Sequence, residues 1–203
     1  MNKTYPLLAV SRLRMEIDGE GVTTLIAGAG CPLNCKYCIN KEVLTKSPKL
    51  VTAQELYDKV KCDDLYFQAT GGGVTFGGGE SLLYAEFIRE FRTYCQDRWR
   101  IYAETSLNVP VENVRIAAGC IDGFIVDIKD MNPEIYRAYT EKDNAQVLEN
   151  LKLLVSLVGQ ERIFVRVPLI PNHNTADDQK RSIDALTALG LTRIDVFTYI
   201  LPQ

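Results

Sequence analysis

Short β-rich runs alternate with amphipathic helical stretches from residue 22 to residue 199. That alternation restricts the chain to parallel β/α units. The predicted strands are Val22–Ala27, Gly73–Phe76, Arg100–Glu104, Gly123–Ile128, Ile163–Leu169 and Arg193–Tyr199. Between the first two, Thr52-Ala53-Gln54-Glu55 is a capping box opening a helix that runs to about Cys62. Within Ser81–Arg98, Leu83, Phe87, Phe91 and Cys95 recur at helical spacing. Asp143–Val158 carries Val147, Leu148, Leu151, Leu154, Val155 and Val158 on one side. Asp177–Leu189 repeats the pattern, and Gly190 follows as a C-cap.

The unusual residues fall where these strands end. Three cysteines follow the first strand, Gly77–Glu80 the second and Glu104–Asn108 the third. Asp127–Asp130 follow the fourth and Pro171–Asn174 the fifth. Chemistry gathered at strand C-termini fits a barrel with its site on that rim better than a doubly wound sheet. A closed (β/α)8 barrel takes about 250 residues. The 203 residues therefore predict an α/β fold with an incomplete, TIM-like (β/α)6 barrel, as a single domain over residues 1–203.

Charge and hydropathy narrow the setting. A net charge of −3 without a Lys/Arg block argues against a nucleic-acid partner. No apolar run approaches the roughly 20 residues that span a bilayer, so no membrane association is expected. The opening MNKTYPLLAVSRLR has neither a continuous apolar stretch nor a small-residue cleavage site, so a cytoplasmic protein is expected. Of six cysteines, Cys62, Cys95 and Cys120 stand alone and read as small buried hydrophobes.

The other three lie in Cys31-Pro32-Leu33-Asn34-Cys35-Lys36-Tyr37-Cys38. Such soft ligands suit Zn²⁺ or an iron–sulfur cluster. Structural zinc is normally closed by four ligands. Here no second CxxC exists, and the single histidine, His173, lies far along the chain. A cubane held by three thiolates keeps one iron open to a small molecule. The second signal is Gly77-Gly78-Gly79-Glu80, where a strand runs into bare backbone and a carboxylate opens a helix. It also reads as a tight strand–helix turn.

CxxxCxxC with an aromatic before the last cysteine resembles the radical S-adenosylmethionine (SAM) superfamily, and Gly78-Gly79-Glu80 resembles its GGE motif. The match extends to glycyl radical enzyme activases of the pyruvate formate-lyase activating type. Asp18-Gly19-Glu20-Gly21 is similar to their segment before the first strand. Asp127-Ile128-Lys129-Asp130-Met131-Asn132 resembles D-[LI]-K-x-x-[ND], and Tyr136-Arg137-Ala138-Tyr139-Thr140 resembles Y-R-x-x-T. Leu148–Leu151, Arg166 and Ile170–Asn174 continue the series in order. An ordered series is more specific than any one short motif.

The resemblance implies a [4Fe–4S] cluster on Cys31, Cys35 and Cys38 whose open iron chelates SAM. Reductive cleavage would give a 5′-deoxyadenosyl radical that takes the Cα hydrogen of a glycine in a partner glycyl radical enzyme. A flavodoxin or ferredoxin would donate the electron. Tyr37 and Asn40 would flank the cofactor, and Gly78, Gly79 and Glu80 would hold its amino group. Lys129 and Asp127 would lie at its carboxylate and Arg166 at its carboxylate or ribose, with a monovalent cation among Glu104, Thr105 and Asp127. Asp127 and Lys129 also read as an internal ion pair. A radical SAM enzyme acting on a small molecule, and a non-catalytic metal-binding homologue, are the alternatives.

The chain departs from the family at several positions. Ile39 replaces the usual histidine after the third cysteine, Gly77 a serine, Ser81 a proline and Glu104 an aspartate. Asn172 replaces the glycine of a turn, tolerably, because asparagine accepts positive φ. The last strand lacks the adenine-side histidine, and the segment after it is missing. His173 reads as a loop residue.

Overall fold

The structure, a computed structural model, describes residues 3–15 and 18–200. Its strands are β1 (Thr4–Met15), β2 (Val22–Gly28), β3 (Lys49–Thr52), β4 (Gly73–Gly78), β5 (Arg100–Thr105), β6 (Gly123–Asp127), β7 (Ile163–Leu169) and β8 (Ile194–Thr198). They form one sheet in the order β3-β1-β2-β4-β5-β6-β7-β8. From β2 through β8 all neighbours are parallel and follow chain order, as expected for an open (β/α)6 barrel. Residues 201–203 of the expected final segment lie outside the described residues.

Periodicity predicts neither β1 nor β3, which extend the sheet antiparallel at one edge. β1 buries Tyr5, Pro6 and Leu7 and then carries Arg12 and Arg14. Its pairing slips between Leu7 and Ala9 and between Ser11 and Arg14, and Leu13 has φ 54°. Clean alternation is therefore lost. β3 has only four residues, a common form for an edge strand.

The helices are α1 (Lys41–Leu44), α2 (Ala53–Val60), α3 (Asp64–Thr70), α4 (Ala85–Cys95), α5 (Val111–Ala118), α6 (Pro133–Thr140), α7 (Ala145–Val158) and α8 (Ala176–Ala188). The Thr52/Glu55 capping box opens α2 as predicted, but α2 stops at Val60 and a 3₁₀ turn leads into α3. That turn buries Asp63, whose carboxylate accepts from Arg12 Nε at 2.9 Å and Thr24 Oγ1 at 2.8 Å. Cys62 consequently faces outward, which corrects the expectation that it is buried; Cys95 and Cys120 are buried. Helices α3, α5 and α6 are too short for periodicity to reveal, although Asn132-Pro133 is a helix start and Asn132 does cap α6.

Phe76 of β4 meets Phe91 of α4 edge-on at 5.5 Å, and Trp99 adjoins them in the core between sheet and helices. The parallel register brings the C-terminal ends of β2 and β4–β8 to one rim. Gly28↔Gly78, Thr105↔Val126 and Asp127↔Arg166 pair there. Among the described residues no helix is long and apolar enough to cross a membrane.

Candidate functional site

The cysteine loop after β2 is pinned at its middle and far end. Asn34 N donates to Thr140 O at 3.0 Å, and Lys36 N donates to Tyr139 O at 3.1 Å. Cys35 is thus seated against the last turn of α6. Glu141, in the left-handed conformation after α6, accepts from Asn34 Nδ2 at 2.7 Å and Lys36 Nζ at 2.6 Å. Asn40 Nδ2 reaches Gly78 O at 2.8 Å, tying the loop to the neighbouring rim turn.

Cys31 is exposed, while Cys35 and Cys38 are half-buried, and all three are free thiols. Burial raises the Cys31 thiol and pushes Cys35 up to about 11. In both cases Cys38 adds to the rise and Lys129 opposes it, and Cys31 adds to the rise at Cys35, so the three thiols and the ammonium share one field. Among the described residues no three His, Cys, Asp or Glu side chains surround a single metal ion. Three free thiols on one loop are the ligand type that iron–sulfur clusters use, so the donor set fits a cluster. His173 supplies no fourth ligand. It packs edge-on against Tyr37 at 5.5 Å and Tyr139 at 5.1 Å, and a structural zinc would remain unclosed.

The glycines of the second rim turn serve backbone-to-backbone contact. Gly79 N donates to Gly28 O at 3.0 Å, and Glu80 N to Gly30 O at 2.8 Å. A Cβ at Gly79 would collide with the Gly30 carbonyl, and Gly78 has φ 91°. A Cβ at Gly77 would collide with the Glu104 carboxylate. The two departures at 77 and 104 are therefore one change: the missing side chain makes room for the longer acid.

Glu80 is 2% exposed. Its Oε1 accepts from Leu82 N at 3.1 Å and Thr105 Oγ1 at 2.6 Å. Its Oε2 accepts from Ser106 N at 2.8 Å and Ser106 Oγ at 2.6 Å. A carboxylate has about four acceptor positions, and here all are filled. Glu80 thus braces the turn after β5. Ser106, given no role of its own by the sequence, completes that brace.

Inside the barrel, carboxylates and cations pair. Arg166 Nη1 lies 2.8 Å from Glu104 Oε1, Lys129 Nζ lies 3.3 Å from Asp127 Oδ2, and Arg14 pairs with Asp18. Lys129 Nζ also donates to Tyr199 Oη at 3.1 Å. Burial opposes the charge on Lys129, yet Asp127, Tyr199 and Cys35 raise it well above its ordinary value. Burial likewise raises the Glu104 carboxyl, against Arg166. Two of the residues expected around a monovalent cation, Glu104 and Asp127, each face a cationic side chain in this structure. Glu104 faces Arg166, Asp127 faces Lys129, and the Thr105 hydroxyl is engaged by Glu80 and by Leu107 N. Asn172 takes φ 65° as expected, and its amide lies 3.5 Å from the Tyr37 hydroxyl.

Comparison with known proteins agrees with this geometry. The family described as the Radical SAM superfamily matches residues 25–184. Over 171 residues the chain is 31% identical to the pyruvate formate-lyase-activating enzyme of Clostridium pasteurianum, covering 84% of this chain and 70% of that one. It is 37% identical over 128 residues to the (2S)-3-sulfopropanediol dehydratase activating enzyme of Klebsiella oxytoca, covering 62% of this chain and 39% of that one. Among solved structures, Streptococcus suis SuiB superposes with a TM-score of 0.67 at 14% identity, over 88% of this chain and 40% of that chain. AdoMet-bound anSMEcpe superposes with a TM-score of 0.57 at 18% identity, over 85% of this chain and 50% of that chain. These structures share the fold.

Proposed function

The chain belongs to the radical SAM superfamily, and on that premise we propose that it is an activating enzyme that takes the Cα hydrogen from a glycine of a partner glycyl radical enzyme. Three free thiols on one pinned loop are the observation that carries this reading. Relatives named as activating enzymes support the class of partner. Cys31, Cys35 and Cys38 would hold the [4Fe–4S] cluster. Bound together, the reduced cluster and SAM supply the hydrogen-abstracting chemistry.

The chain's own residues prepare the site. Lys129 Nζ spends one donor on Tyr199 and lies in an ion pair with Asp127, so its remaining donors would serve the SAM carboxylate. Arg166, set against Glu104, adds fixed positive charge on the same wall. Tyr37, seated between His173 and Tyr139, offers a ring for the adenine. Exposed Cys31 marks the side from which a flavodoxin or ferredoxin would deliver an electron. A cytoplasmic setting belongs to the proposal; free cysteines suit a reducing compartment.

The test is anaerobic incubation of the reconstituted protein with SAM, reductant and candidate glycyl enzymes. A glycyl-radical doublet in electron paramagnetic resonance, lost when the partner's glycine is replaced, is the expected result. Deoxyadenosine formed only with a small molecule would overturn it. The paired charges inside the barrel give a second expectation. SAM affinity should agree within about twofold in potassium, sodium and choline salts of equal ionic strength, because Arg166 and Lys129 already neutralise Glu104 and Asp127. A tenfold gain in potassium, measured by anaerobic titration, would restore the cation site.

A further inference from the structure

Helix α6 does more than support the loop with its carbonyls. Tyr136 and Tyr139 are three residues apart, so they share one face of α6, and each is 1% exposed. That face turns toward the loop whose middle residue, Cys35, is fixed on both sides by Thr140 O and Tyr139 O. Around it stand Tyr37, His173 and Tyr199, whose rings lie 6.0, 5.1 and 6.3 Å from that of Tyr139.

Both phenol oxygens are buried without a hydrogen-bond partner. Asn108 and Tyr199 stand near them without reaching hydrogen-bond geometry. A buried hydroxyl with no partner is costly, and two on one helical face call for an acceptor from outside the polypeptide. Burial raises both phenols, Tyr136 to about 12, and Cys35 is among the charges that each one senses. Neutral O–H donors are therefore held on the helix whose last carbonyls carry the cysteine loop.

We propose that the Tyr136 and Tyr139 hydroxyls donate hydrogen bonds to sulfide atoms of the bound cluster in the cluster-loaded protein and raise the reduction potential of the cluster. The proposal rests on the reading of the cysteine loop as a cluster site. Hydrogen bonds to cluster sulfurs favour the more negative, reduced state. The two tyrosines would touch the cluster and no substrate.

Tyr136→Phe, Tyr139→Phe and the double variant test this in two states. In the loaded protein, a redox titration followed by electron paramagnetic resonance should show the reduced-to-oxidised ratio, at one fixed solution potential, falling about tenfold in the double variant. SAM affinity should stay within about twofold. In the cluster-free protein, thermal unfolding should be unchanged or shifted upward, because the substitution removes a hydroxyl that has no partner there. Equal ratios in wild type and double variant would assign the hydroxyls to water or to neighbouring side chains. A tenfold loss of SAM affinity at unchanged potential would assign them to SAM. A destabilised cluster-free variant would show that they are already bonded within the protein. Each of these three results overturns the proposal. Failure of the wild type to assemble a cluster overturns the reading of the loop instead, and the cluster-free comparison then decides the tyrosines on its own.

Discussion

Replacing Cys31, Cys35 or Cys38 with alanine is expected to remove iron and acid-labile sulfide together, while Cys62→Ala, Cys95→Ala and Cys120→Ala retain both. The loop's shape is held by main-chain bonds to Tyr139 and Thr140 and by Asn40, none of which involves a thiol. The three ligand variants should therefore fold, with apoprotein stability changed by no more than about 1 kcal/mol. Cys95 and Cys120 are buried, and losing a buried sulfur costs about 1 kcal/mol without touching the loop. Iron and sulfide assays after anaerobic reconstitution, beside urea unfolding of the apoproteins, separate the two sets. Equal loss of iron across all six variants would sink the assignment.

Glu80→Ala is expected to destabilise the cluster-free protein by at least about 3 kcal/mol, because it strands the amides of Leu82 and Ser106 and the hydroxyls of Thr105 and Ser106 in a dry interior. Urea unfolding measures this without any ligand. Unchanged stability with SAM binding abolished would return Glu80 to the ligand's amino group. Burial raises the Glu80 carboxyl above its ordinary range, against the four hydrogen bonds. An acid whose pKa is higher in the folded state contributes stability fully below the unfolded pKa and loses it as pH rises through the folded pKa. Glu104, raised by the same cause, has the same sign. Apoprotein stability should therefore decline as pH climbs above the ordinary carboxylate range, and Glu80→Gln should flatten that decline.

Glu80 also shows where sequence reading stops. Its position at a helix start was legible, because a strand, glycines and an acid leave few alternatives. Its partners were not, since Thr105 and Ser106 reach it across two parallel strands. The six parallel strands were legible because five of them are largely buried runs of apolar residues, and β8 follows a clear helix and C-cap. β1 escaped because its second half alternates arginines with a broken register, and β3 because four residues make no pattern. Gly77 and Glu104 looked like two separate losses until the sheet placed one against the other. For α6, Tyr136–Thr140 stood out only by resemblance. No spacing rule could show that the carbonyls of that helix carry the cysteine loop.

The side chains of Asn34 and Lys36 close onto Glu141 across 107 and 105 residues of chain. A contact of that span forms late in folding, after the loop-closure entropy of everything between has been overcome. The cysteines leave the ribosome early, but the surface that shapes their loop is made only when the chain has passed α6. Iron and sulfide delivered to a nascent chain would meet three thiols on a mobile tether. The shape of the cysteine loop thus depends on α6 standing in place beside it.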